Sequence, residues 1–243
     1  ELVFLIKRMV FESDRGNEAA TREAMERARA LAPQNPQYQR ILRYNIAHAL
    51  FKLGHYAETE GLALELVKEY FDVLGLTPMD IFGLSNRKIA EKLTPTPTLQ
   101  DDLKHLADAL DVVARTSNAQ GRDSGLARVH AAKFYGLAHA MDSLVKVSQD
   151  LVDEFVGRSD YVGARQVIEE NLMPLVVEHK MLDKIVSVRS QYAVVLAYCG
   201  EYQAAEAELT RLAPYRPGLS VEQRSEIDNQ REFVAQLDRK SVV

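Results

Sequence analysis

AYCGEYQAAEAELTRLAPYRP, residues Ala197–Pro217, sets a small helical residue before Gly200, then Tyr202, then Ala205, and closes on prolines. Such spacing marks either one helical hairpin or one copy of a unit built by repetition, and the same arrangement recurs. HALFKLGHYAET carries Gly54, Tyr56 and Thr59, and FVGRSDYVGAR carries Ser159, Tyr161 and Ala164. Seven residues before the turn stand Ala47, Val152 and Ala193, and four before it stand Leu50, Phe155 and Leu196. Four residues after the small residue that follows the tyrosine come Ala63, Ile168 and Leu209. A fainter copy, GNEAATREAMERARALAPQNP, has Gly16 at its turn and Pro33 at its close. Several copies of one supersecondary unit make repetition the economical reading.

The units are helical. Tyr161, Ala164, Ile168, Leu172 and Leu175 follow one another in steps of three and four, the signature of one helix face. Ala193, Leu196 and Ala197 do the same. Tyr192–Cys199 is rich in β-branched residues, yet it continues the helical period and shows no strand alternation. Start signals agree. Asn35-Pro36 and Thr77-Pro78 each offer a cap followed by a proline suited to a first turn. Ser220 has Gln223 at the reciprocal capping position, and Asp101-Asp102 suits the positive end of a helix dipole. The pattern predicts about ten to twelve helices of roughly 13–19 residues joined mostly by short turns.

This pattern resembles the tetratricopeptide repeat, in which small residues sit where two helices cross and a Gly-x-Tyr-like turn joins them. Alanines such as Ala47, Ala193 and Ala205 let backbones approach, and the aromatic after the turn fills the wedge between helices. The resemblance implies an all-α fold, a right-handed helical-repeat solenoid of antiparallel helix pairs forming a single domain over 1–243. Residues 75–98 read as an insertion with a short helix, and 220–238 as a C-terminal capping helix. Leu99–Ala140 reads as a divergent unit whose internal turn, Thr116–Gly125, is long. The departures are that no tryptophan is present and that Tyr161 and Tyr202 are 41 residues apart, against about 34 in the family.

Composition narrows the function. The chain has 243 residues and a net charge of −5, with no run of lysine and arginine, so a nucleic-acid partner is not expected. No apolar run approaches the roughly 20 residues that span a bilayer, so no membrane partner is expected either. Cys199 is the one cysteine, which excludes an intrachain disulfide and points to a reducing, cytoplasmic setting. The chain begins at Glu1 with ELVFLIKRMVF and ends on KSVV, which reads as a piece of a longer protein. Catalytic signatures are missing. The six histidines form no ligand pair at helical spacing, and no phosphate-binding glycine loop occurs. Arg122–Gly125 (RDSG) lacks the second glycine of a nucleophile turn and reads as a polar turn in which Ser124 caps the next helix. Neither enzyme activity nor a cofactor or metal is expected.

What remains is a surface. The resemblance implies that the first helix of each unit lines a concave face. The helix period then puts Ile41, Tyr44, His48 and Phe51 there from an early unit. Later units contribute Lys146, Gln149, Asp153 and Val156, then Ser187, Ser190, Val194 and Ala197. The expected partner-binding residues are Tyr44, His48, Phe51, Lys146, Gln149 and Asp153, with Arg122 and Asp123 as a polar contact in the long turn. Packing against a neighbouring helix would explain Ile41 and Phe51 equally well. The expected function is a non-catalytic scaffold that binds a peptide or helix of a partner protein. A regulatory or sensor array attached to a catalytic domain elsewhere in a longer chain is the alternative.

Overall fold

The structure, a computed structural model, describes residues 1–32 and 35–241; Pro33, the close of the faint copy, and Val242 and Val243 lie outside them. Regular secondary structure among the described residues is entirely helical, in fourteen α-helices with one π-helical and one 3-10 segment. The chain divides into two compact units, Glu1–Leu144 and Val145–Val243. The first holds α1 (Leu2–Asp14), α2 (Glu18–Leu31), α3 (Pro36–Lys52) and α4 (Tyr56–Leu74). Two short helices follow, α5 (Pro78–Gly83) and α6 (Asn86–Lys92), then α7 (Leu99–Ala119) and α8 (Gly125–Leu137). α9 (Met141–Gly157) runs into the second unit. There α10 (Tyr161–Val167), a π segment (Ile168–Leu172) and α11 (Met173–Glu178) make one continuous rod. α12 (Leu182–Tyr198), α13 (Tyr202–Thr210) and, beyond a 3-10 turn, α14 (Val221–Ser241) complete it.

One turn design recurs. At Gly54 and Gly200 the backbone is left-handed, with φ +82° at both, a conformation that lacks a Cβ penalty only in glycine. The two helix-closing bonds are then made: the Gly54 amide donates to Phe51 O and the His55 amide to Leu50 O, both at 3.0 Å. Gly200 and Glu201 repeat the pattern on Ala197 and Leu196. This is the Schellman closure. Its last residue, His55 or Glu201, already occupies the position that opens the next helix, so the chain reverses within a few residues. His139, Ser159 and Lys180 close helices in the same way with φ of 52°, 59° and 51°, and for an L-residue that conformation costs roughly 1 kcal/mol. Turn geometry, not glycine, is what repeats.

The core repeats with the turns. Ala47, Val152 and Ala193, the residues seven before each turn, are fully buried. So are Thr59, Ala164 and Ala205 after it, and Ala63, Ile168 and Leu209 one turn further. The faint first copy obeys the same register, with Met9, Thr21 and Met25 buried. Thr59 shows how near the helices come: its hydroxyl lies 3.4 Å from Ala47 O on the opposing helix and 3.0 Å from His55 O.

Caps read from sequence are present. Asn35 Oδ1 accepts from the Gln37 amide at 2.9 Å ahead of Pro36. Ser220 and Gln223 exchange reciprocal bonds of 3.2 and 3.0 Å at the head of α14. Thr77 and Asp80 do likewise at α5, where Lys92 also reaches Asp80 at 2.6 Å.

Three expectations need correction. Thr116–Gly125 is not a long turn, because α7 continues to Ala119 and the connection is Gln120–Ser124. Thr116, Ser117 and Asn118 have turn composition, but Thr116 and Ser117 are buried and the Thr116 hydroxyl donates back to Val112 O at 2.7 Å. Burial overrides local preference here. Next, α8 is headed not by the Ser124 side chain but by Asp123, whose Oδ1 accepts from the Gly125 amide at 2.9 Å. Finally, Leu175 is only half-buried and Val176 takes the core position. Ala164, Ile168, Leu172 and Val176 form a stripe with an unbroken step of four, which outruns a turn of about 3.6 residues. The wider π turn absorbs the excess, and Pro174, lacking an amide hydrogen, is accommodated beside it.

A candidate binding groove on the second unit

Side-chain bonds fix how the first helices of the second unit lie. Gln149 Nε2 donates to Ser187 Oγ at 3.3 Å, and Gln191 Nε2 donates to Asp153 Oδ1 at 2.6 Å and Gln149 O at 3.2 Å. Contacts therefore advance in the same direction on α9 and α12, so the two helices are parallel. Tyr198 of α12 meets Phe233 of α14 with ring centroids 5.5 Å apart. Between α9, α12 and α14 lies a groove with about 370 Å³ of free volume. Val186 and Ile227, both buried, give it an apolar floor. Its walls are polar: Gln149 and Asp153 from α9, Ser187, Ser190 and Gln191 from α12, and Gln223, Glu226 and Gln230 from α14.

The groove brings together two of the expected binding residues, Gln149 and Asp153, with Ser187, Ser190 and Val194 from the predicted face of α12. Lys146 is exposed on α9, outside the groove lining. Ala197, expected on that face, is instead buried in the core with Ala193 and Ala205. The contribution of α14 was not foreseen. Its signal was present in Gln223, Glu226, Ile227 and Gln230, spaced at three and four like the first helices, in a segment assigned only to capping.

The remaining expected residues lie in the first unit. Tyr44 packs against the buried cluster of Ala47, Ala63 and Val112. Burial, then the nearby Asp108 carboxylate, pushes its hydroxyl up to about 12. Phe51 has the Arg115 guanidinium over its ring at 4.9 Å and Tyr56 at 5.5 Å. His48 is half-buried on the same helix. Arg122 pairs with Glu60 of α4 at 2.6 Å, and Asp123 caps α8. Nearby, Tyr135 donates to Asp108 at 2.7 Å and Lys104 pairs with the same carboxylate at 2.8 Å.

A second depression on the second unit contains Tyr161, Arg165, Glu169, Cys199 and Glu201. Its one arginine is already engaged: Arg165 pairs with both Glu169 and Glu201, and the Tyr192 hydroxyl donates to Glu169. That donation holds the Glu169 carboxyl below its ordinary range, while burial pushes the Cys199 thiol up and away from thiolate chemistry. Among the described residues no group of three His, Cys, Asp or Glu side chains could hold a metal ion, and no helix is long and apolar enough to cross a membrane.

Comparison with protein-family models, curated proteins and solved structures finds no match for the chain. What fold and groove define is a class: an all-α protein of helices packed on their neighbours through a repeated turn and core register, with a polar groove across three helices of its second unit.

Proposed function

We propose that the chain is a non-catalytic scaffold of tetratricopeptide-like units, a right-handed solenoid of helix pairs working in the cytoplasm, and that its α9–α12–α14 groove holds a peptide segment of a partner protein. The observation that carries this reading is the make-up of the groove. Side chains that the repeat spacing assigns to first helices line it together, over an apolar floor and under a rim of four glutamines. A carboxamide both donates and accepts, so such a rim suits the alternating N–H and C=O groups of a main chain, and the floor suits one or two small apolar side chains.

Selection of random dodecapeptides on the full chain, followed by calorimetry, tests it. Val194→Trp fills the groove from a half-buried position and should weaken a selected peptide about tenfold or more, with helical circular dichroism unchanged. Tyr44→Ala with His48→Ala, in the first unit, should leave that affinity within about twofold. The opposite pattern would move the site to the first unit and end the groove reading.

A further inference from the structure

The groove is lopsided in its chemistry. Its lining includes two carboxylates, Asp153 and Glu226, and no lysine, arginine or histidine among the described residues. Asp153 uses one oxygen to accept from Gln191, and Glu226, exposed on α14, has no cationic partner among the described residues. The amide oxygens of Gln191 and Gln230 are buried without a donor among those residues. A buried acceptor left unmet is a standing penalty, one that a turn of the glutamine side chain toward an incoming donor would relieve. The groove thus has acceptors in surplus and a negative charge with nothing in the lining to balance it. Other acids of the molecule have their arginine within the fold: Arg43 grips Glu69 with two nitrogens at 2.5 and 2.6 Å, and Arg216 grips Asp228 at 2.8 and 2.6 Å.

An occupant that supplies donors, carries positive charge and offers no competing acceptor on that side chain meets these needs. Arginine does so, with five N–H donors on a plane that is weakly hydrated and stays charged. We infer that the groove recognises an extended peptide segment presenting an arginine, whose guanidinium is taken by the carboxylates of Asp153 and Glu226 while the glutamine rim holds the flanking main chain. The inference rests on the peptide reading above and adds the chemistry of the partner. The net charge of −5 favours the approach of such a segment at long range.

The test uses the full chain and capped nonapeptide pools, each with a fixed central residue in random surroundings, read by fluorescence anisotropy. The fixed residues are arginine, citrulline and glutamate; citrulline keeps the shape of arginine without its charge. The arginine pool should bind about tenfold tighter than the citrulline pool, and the glutamate pool weakest. Asp153→Asn with Glu226→Gln alters two exposed side chains and should close the gap between arginine and citrulline without loss of helix content. Raising salt from about 50 to about 300 mM should narrow the same gap. If citrulline or glutamate pools match the arginine pool, yet Val194→Trp still abolishes binding, the arginine inference falls and the peptide groove stands. If no pool binds in a way that Val194→Trp removes, both fall.

Discussion

Ala193→Leu should disrupt the crossing of α12 and α13 in the second unit. Ala193 and Ala205 are fully buried in one core with Leu196 and Leu209, on either side of the Gly200 turn. Leucine adds three carbons where no free space faces the side chain. Helices that meet through alanine stand near the short end of the roughly 8–10 Å range of packed helix axes, so α12 and α13 must part or leucine must leave its preferred rotamer. Overpacking of this kind costs about 1–3 kcal/mol. In a chain of this size each kcal/mol lowers the melting temperature by about 2–4 °C, so a fall of about 2–12 °C is expected. Differential scanning calorimetry measures it; if the two units melt separately, the lower transition is the one that moves. Val194→Leu, one residue along and lining the groove, is the matched control and should stay within about 0.5 kcal/mol of the parent. Adding Ala205→Gly to Ala193→Leu should recover part of the loss despite the helix penalty of glycine, a coupling of about 0.5 kcal/mol or more. Equal melting temperatures for Ala193→Leu and Val194→Leu would refute the crossing.

The other outcomes follow from single features. Deleting Glu170 from the π segment together with Pro174→Ala should convert it to an ordinary α turn and leave Val176 in the core, changing stability by about 1 kcal/mol or less. Deleting the exposed Lys68 from the middle of α4 rotates everything beyond it by about 100° and should abolish two-state unfolding in denaturant. Asp80 is held down to about 2 by its bond from Lys92 and those from Thr77. With the folded value below the unfolded one of about 3.9, its stabilising contribution is present above pH ~4 and lost as pH falls toward 2. Carboxyl NMR titration should place its midpoint near 2, and Asp80→Asn should remove this acid-dependent loosening of α5 and α6.

Much of the fold was legible because it depends on periodicity and on turn chemistry. Gly54, Gly200 and the small residues around them specify a reversal and a close crossing by their own steric properties, and a single sequence displays both. The fold was less legible where distant contacts decide. Nothing local tells Thr116 that it will be buried and stay helical, or that Lys133 of α8 will donate to Ile81 O and Leu84 O at 2.9 and 2.8 Å and hold α5 in place. The groove was half legible. Helix period put Gln149, Asp153, Ser187 and Ser190 on one face, but Gln191 joins it through bonds across to α9 that require the three-dimensional neighbour. Tyr44 and Phe51 show the converse. Aromatics at helical spacing look alike whether they wait for a partner or already rest on the next helix.

The order in which helices meet has a kinetic consequence. Among the described residues the extensive helix-to-helix contacts join elements next to one another or one removed along the chain, except where α3 and α4 reach α7 across the two short helices; smaller ones, the bonds from Gln191 of α12 to α9 and from Lys133 of α8 to Ile81 of α5, reach two removed. Little entropy is therefore spent closing large loops before contacts form, and topologies dominated by local contacts fold fast for their size. Each hairpin can assemble as it leaves the ribosome, without waiting for distant sequence. The α4–α7 junction is the exception: it requires residues 75–98 to be looped out first, which makes it the slowest step expected in the folding of the first unit.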